Sequence, residues 1–150
     1  MTWVFDDGGR IATGFRGKAN DCVVRAVAIA AELPYAPVYA ALQALAQQER
    51  PRTGRTRSSA RTGVRKQTTR RFLASLGWIW IPTMRIGSGC TVHLRHHELP
   101  PGRLIVCVSR HVVAVIDGVI HDTHDPSREG TRCVYGYFRQ TGREERERTS

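Results

Sequence analysis

No uninterrupted apolar run approaches the ~18 residues needed to cross a bilayer as a helix, and the opening residues Met1 to Asp7 lack the basic-then-apolar order of a secretion signal. Neither a membrane partner nor export is therefore expected, and the reading is of a protein in a reducing bacterial cytoplasm. There the four cysteines (Cys22, Cys90, Cys107 and Cys133) are expected as free thiols, ligands or a nucleophile rather than as disulfides. No Cys-x2-Cys pair occurs. Although Cys90, His93, His96, His97, Cys107, His121, His124 and Cys133 offer soft ligands, no metal and no other cofactor is expected. The absence of any internal repeat excludes solenoids and propellers.

Lysine is nearly missing as well. Lys18 and Lys66 are the only two among 23 basic residues, which face 13 acidic ones for a formal net charge of +10. The arginine bias fits a GC-rich genome as much as a binding surface, yet positive charge favours acidic partners through steering and counterion release. From Arg50 to Arg71 there are nine basic residues and no acidic one. Aromatic residues, on which single-strand binders stack bases, do not appear in that stretch before Phe72. The expectation is a flexible basic segment at about 50–63 and, through Arg50 to Arg71, weak non-specific nucleic-acid contact.

What is present fits one domain of 150 residues, long enough to bury roughly 68–70% of the surface its unfolded chain would expose. The first twenty residues are glycine-rich and read as an extended arm anchored by Trp3 and Phe5. From Asn20 to Leu33, Val24, Val27, Ala28 and Ala31 share a helical stripe, with Asn20 or Asp21 as N-cap. Pro34 closes this helix, and Pro37 sits in the first turn of a second, with Val38, Leu42 and Leu45 on one face. Val64, Thr68, Phe72 and Leu76 predict a third, stopped by Gly77. A short helix is expected after Thr91, flanked by His96 and His97. The period then changes. Trp78–Ile81, Leu104–Val108, His111–Ile116, Val119–Thr123 and Cys133–Phe138 read as strands, with Cys107 and Cys133 facing the core, and Asp117-Gly118 is a strong hairpin signal. The tail from about 140 to 150 is charged and expected to fray. Helices first and antiparallel strands afterwards indicate an α+β domain.

Cys22 opens the first helix, where unpaired backbone amides favour thiolate over thiol. His111 heads an otherwise apolar strand, a rigid mount for a base. A thiolate nucleophile needs such a base, and the base needs a third group to fix its tautomer. With Asp117-Gly118 as a two-residue turn, Ile116 pairs with Val119 and His111 lies opposite His124. Asp122 then shares the face of His111, one diagonal step away. Asp125 has the opposite parity and is the alternative orienter, or a turn residue.

An Asn-Asp-Cys opening a helix, followed about ninety residues later by a histidine-headed strand and a hairpin ending in an acid, resembles papain-like cysteine peptidases, including the bacteriocin-processing peptidase domains of transporters. The stretch from His111 to Asp125 is similar to the C-terminal half of that fold, and the chain as a whole resembles small proteins encoded by actinobacteria and their phages. The resemblance implies N-terminal helices packed on a small antiparallel sheet. It also implies a Cys22, His111, Asp122 triad acting as hydrolase or acyltransferase on an amide, isopeptide or thioester of a peptide or protein. Such peptidases place a glutamine five or six residues before the nucleophile to donate to the oxyanion, where this chain has Gly17 and Arg16. Asn20, Arg16 or backbone amides near Cys22 are left for that role. The other reading is a catalytically inactive binding protein of the same fold, contacting nucleic acid through its arginine-rich segment.

Overall fold

The computed structural model describes residues 1–14, 20–49, 58–85 and 87–142. Three helices, α1 (Cys22–Ala30), α2 (Tyr35–Gln47) and α3 (Lys66–Ser75), accompany a six-stranded sheet and a small hairpin. In chain order the strands are β1 (Trp3–Phe5), β2 (Trp78–Pro82), β3 (Met84–Arg85), β4 (Gly89–Cys90), β5 (Arg103–Val108), β6 (His111–Ile116), β7 (Val119–Asp122) and β8 (Val134–Gln140). The main sheet runs β1-β7-β6-β5-β8-β2, and β3 pairs with β4. All neighbours are antiparallel except β1, which lies parallel to β7. The domain is therefore α+β, with a mostly antiparallel sheet.

The apolar runs in β5 and β6 are continuous because the sheet is buried on both faces, where an alternating strand would cover only one. Ile105, Ala114 and Phe138 pack under the helices with Val24, Val27, Leu42 and Leu73. Leu104, Val106, Val113 and Val115 face the opposite side, beneath Leu94 and Leu99. That second cover is a loop secured by backbone bonds to the strand entry, Leu94 N–H to Arg132 C=O at 2.8 Å and Val134 N–H to Val92 C=O at 2.8 Å. The helix expected after Thr91 is not formed. The chain there is turns and a single bridge, His93 to Cys133.

The same bridge explains a second correction. Cys90, on the β3–β4 hairpin, and Cys133, at the entry to β8, form a disulfide across 43 residues of sequence, so only Cys22 and Cys107 are free. Spacing in sequence carried no hint of it, because strand pairing creates the juxtaposition. Trp3 and Phe5 are not anchors either. β1 is the outermost strand, and Trp3, Val4 and Phe5 are 38%, 41% and 64% exposed. Backbone bonds hold the arm instead: Ile120 N–H to Thr2 C=O and Asp6 N–H to Asp122 C=O, both 2.9 Å. In α3 the buried face is Thr68, Thr69, Phe72 and Leu73, whereas Leu76 is 37% exposed beyond the helix end. Gly136 in β8 lies so close to the Trp80 ring that a Cβ would overlap it, so the glycine makes room for the indole against the sheet. Among the described residues no helix is long and apolar enough to cross a membrane. Residues 50–57 of the basic segment and 143–150 of the tail lie outside the described residues.

Candidate active site

The β5–β6 turn and the start of α1 meet at one end of the sheet, and the β6–β7 turn at the other end sets which residues of β7 reach it. The β5–β6 turn is Ser109-Arg110, with Arg110 at φ 56°, so that Val108 pairs with His111. The β6–β7 turn has both central residues at positive φ (Asp117 47°, Gly118 79°), as the primed hairpin turns require. The resulting register pairs Ile116 with Val119, Val115 with Ile120 and Ala114 with His121, as the sequence implied. Regular pairing of β6 with β7 ends there, leaving His111 and Asp122 at the open end. His111 Nε2 lies 2.5 Å from Asp122 Oδ2, and the His111 and His124 ring centroids are 5.1 Å apart. Asp125 is exposed and accepts the Ser127 N–H at 3.0 Å, a turn-capping role.

α1 packs across β6 with Cys22 as its first residue, facing the strand start that carries His111. Asp21 is the N-cap by position, but its carboxylate makes no capping bond to the helix. It is buried and takes Arg25 one turn later, the Tyr35 hydroxyl at 2.5 Å and Arg10 Nε at 3.5 Å. Arg25 also reaches Asp122 Oδ1 at 3.5 Å, and the Thr123 N–H donates to the same oxygen at 2.7 Å. Asp122 is thus held from three sides: by His111, by Arg25 and by the Thr123 N–H. Gly8, at φ 70°, lets the arm pass close to the Arg25 backbone, bringing Arg10 into reach of Asp21. Sequence reasoning missed Arg25, Arg10 and Tyr35. The Asp21–Arg25 spacing of four was a usable signal, since such pairs meet on a helix surface.

The electrostatics follow from these contacts. Burial pushes the Cys22 thiol up, but the hydrogen bond to His111, the His111 charge, the Val112 N–H and Arg25 outweigh it, leaving the thiol below its ordinary value. Burial disfavours imidazolium at His111, yet hydrogen bonds to Asp122 and Cys22 and their negative charges push its pKa up to about 9. Burial likewise opposes ionisation of Asp122, and His111 and the Thr123 N–H override it to hold the carboxyl low. The two shifts run in opposite directions, and both favour an imidazolium–thiolate pair over the neutral one. With Nε2 committed to Asp122, Nδ1 is the nitrogen left for the sulfur.

A cleft of about 670 Å³ opens over this pair, and its lining includes Asn20, Cys22, Lys66, Arg110, His111 and His124. The first N–H groups of α1 have no partner inside the helix and are available to an anion beside Cys22. Asn20 is exposed at the same helix start. Arg16 and Gly17 lie outside the described residues.

His111, Asp122 and His124 each offer a ligand atom within 4.8 Å of the others, so a cation could be held there only in competition with the His111–Asp122 bond. The remaining candidate ligands are dispersed. Cys90 and Cys133 are joined, His93 binds Glu98 at 3.2 Å, and His97, at the His-x3-His spacing from His93, packs against His96 with the rings tilted by 56°. His121 Nδ1 is 3.9 Å from Asp6. Comparisons with protein-family models, with curated proteins and with solved structures returned no match.

Proposed function

We propose that the protein is a papain-like cysteine hydrolase or acyltransferase. The observation that carries this reading is the chain of contacts from Cys22 through His111 to Asp122 at the foot of an open cleft. Helices packed on a mostly antiparallel sheet, with the thiol at a helix start and the base at a strand start, fit the papain-like arrangement.

In the proposed reaction the Cys22 thiolate attacks the carbonyl of an amide, isopeptide or thioester, and the carbonyl electrons move onto oxygen. His111 protonates the leaving nitrogen or sulfur as the tetrahedral intermediate collapses to a thioacyl enzyme. Neutral His111 then takes a proton from water, or from an acceptor amine, which releases the acyl group and regenerates the thiolate. Asp122 keeps the ring oriented and stabilises its charge, with Arg25 holding the carboxylate from behind. The oxyanion falls to the α1 N–H groups and Asn20.

The test is iodoacetamide alkylation below neutral pH with peptide mapping. Cys22 is expected to react ahead of Cys107, and of Cys90 and Cys133 once these are reduced. Asn20→Ala is expected to lower turnover of a thioester substrate by roughly 100-fold while barely changing alkylation, which develops no oxyanion. Arg16→Ala is the parallel variant for the other candidate donor. If neither substitution separates the two rates and Cys22→Ala leaves cellular activity intact, the site is a binding surface and the enzyme reading falls.

A further inference from the structure

The cleft does not end at the catalytic pair. Next to Cys22 it continues into an apolar recess lined by Val23, Val64, Trp80, Cys107, Val112 and Phe138. Val23, Val64, Cys107 and Val112 line both spaces, so the recess adjoins the cleft that holds Cys22. Two cations stand at it, one helical turn apart on α3. Lys66 Nζ lies 5.6 Å from the Tyr135 ring centroid, and the Arg70 guanidinium 4.7 Å from that of Trp80.

These cations differ from others nearby. Arg25, Arg65, Arg95 and Arg103 each have a carboxylate, from Asp21, Glu49, Glu98 and Glu32 respectively. Among the described residues, Lys66, Arg70 and the rim residue Arg110 have none, and neither the recess nor the cleft is lined by an acidic side chain. A cation resting on an aromatic face keeps its remaining N–H donors for an anion, and the apolar wall beside it strengthens that attraction.

We propose that the site selects an acidic peptide substrate: a compact apolar side chain enters the recess beside Cys22, and a neighbouring carboxylate side chain is bound by Lys66 and Arg70. This rests on the cysteine-hydrolase reading. It adds a specificity that the catalytic residues alone do not dictate.

The experiment uses three matched peptidyl acyloxymethyl ketones, each with leucine next to the ketone and then glutamate, glutamine or lysine. The Cys22 sulfur attacks the carbon bearing the acyloxy group; the S–C bond forms, the C–O bond breaks and a carboxylate leaves. Rates are read as the mass added at Cys22, with iodoacetamide as an uncharged reference. The glutamate probe is expected to react at least about tenfold faster than the lysine probe, with glutamine between them and the gap narrowing in high salt. Lys66→Gln with Arg70→Gln should abolish the ranking, whereas Lys66→Arg should keep it and guards against loss of fold in the double variant.

Equal rates for the three probes, with brisk iodoacetamide labelling of Cys22, would overturn the specificity and leave the hydrolase reading standing. A Cys22 inert to every reagent would remove both. A short duplex DNA that shields Cys22 at physiological salt would reassign the basic rim to nucleic acid and overturn the proposal.

Discussion

Cys22 and Cys107 line one cleft, both are partly buried, and their thiols shift in opposite directions. Burial penalises the thiolate in both. At Cys107, mid-strand in β5, nothing offsets it sufficiently: Lys66 and Arg70 help, Cys22 opposes, and the thiol is pushed up to about 12. Cys22 has a ring nitrogen, a backbone N–H, Arg25 and a helix start, and its thiol falls below the ordinary value. Burial by itself makes a cysteine inert. Reactivity comes from the groups that two separate chain segments, α1 and the start of β6, bring to one sulfur.

The deepest way to disturb the supported end is to remove Asp21, whose loss strands Arg25 and the Tyr35 hydroxyl in a buried setting. Asp21→Ala should lower unfolding free energy by about 3–5 kcal/mol, measured in urea. Tyr35→Phe, which leaves Asp21 its arginines, should cost only about 1 kcal/mol.

Next comes His111→Ala. With the imidazolium gone, only the Val112 N–H and Arg25 are left to oppose burial at Cys22, and the thiol rises. Neutral-pH alkylation should then slow, and acyl transfer, which also loses its general acid and base, should fall by roughly 100-fold or more. In the intact protein the sign on each limb differs. Acyl-transfer activity should rise with pH as the thiol, its pKa lowered, ionises, and fall as His111 loses its proton near pH 9.

Asp122→Ala should slow alkylation about tenfold and move the alkaline limb below 9, since His111 loses its principal anionic partner. Asp125→Ala, which removes only a turn cap, should do neither. The reverse order would show that Asp125 orients the ring. The smallest effect belongs to the other thiol. Cys107→Ser should leave the Cys22 alkylation rate within about twofold, and a larger drop would mean that the recess shapes the nucleophile itself.

Much of this end of the molecule was legible in the sequence because its determinants are local. The Asp117-Gly118 turn sets the β6–β7 register, and register sets which acid lies beside His111. Helix periodicity placed Cys22 at the start of α1. What escaped were contacts made by residues distant in sequence: Arg25 with Asp122, Arg10 with Asp21, and the Cys90–Cys133 disulfide. The same holds for the arm. Trp3 and Phe5 looked like anchors by composition, yet β1 became the edge strand of the sheet among the described residues.

By itself, the sequence determined the three long helices, the central strands, the Asp117-Gly118 turn and the two residues that could act as nucleophile and base. Each depends on periodicity, capping or φ preference within a few neighbouring residues. Only the tertiary structure decided that the two meet, that the Cys22 thiol shifts down while that of Cys107 shifts up, and that an apolar recess flanked by cations adjoins the cleft. Those outcomes depend on burial and on charges brought together from α1, α3, β5 and β6, and no local pattern encodes the distances between them.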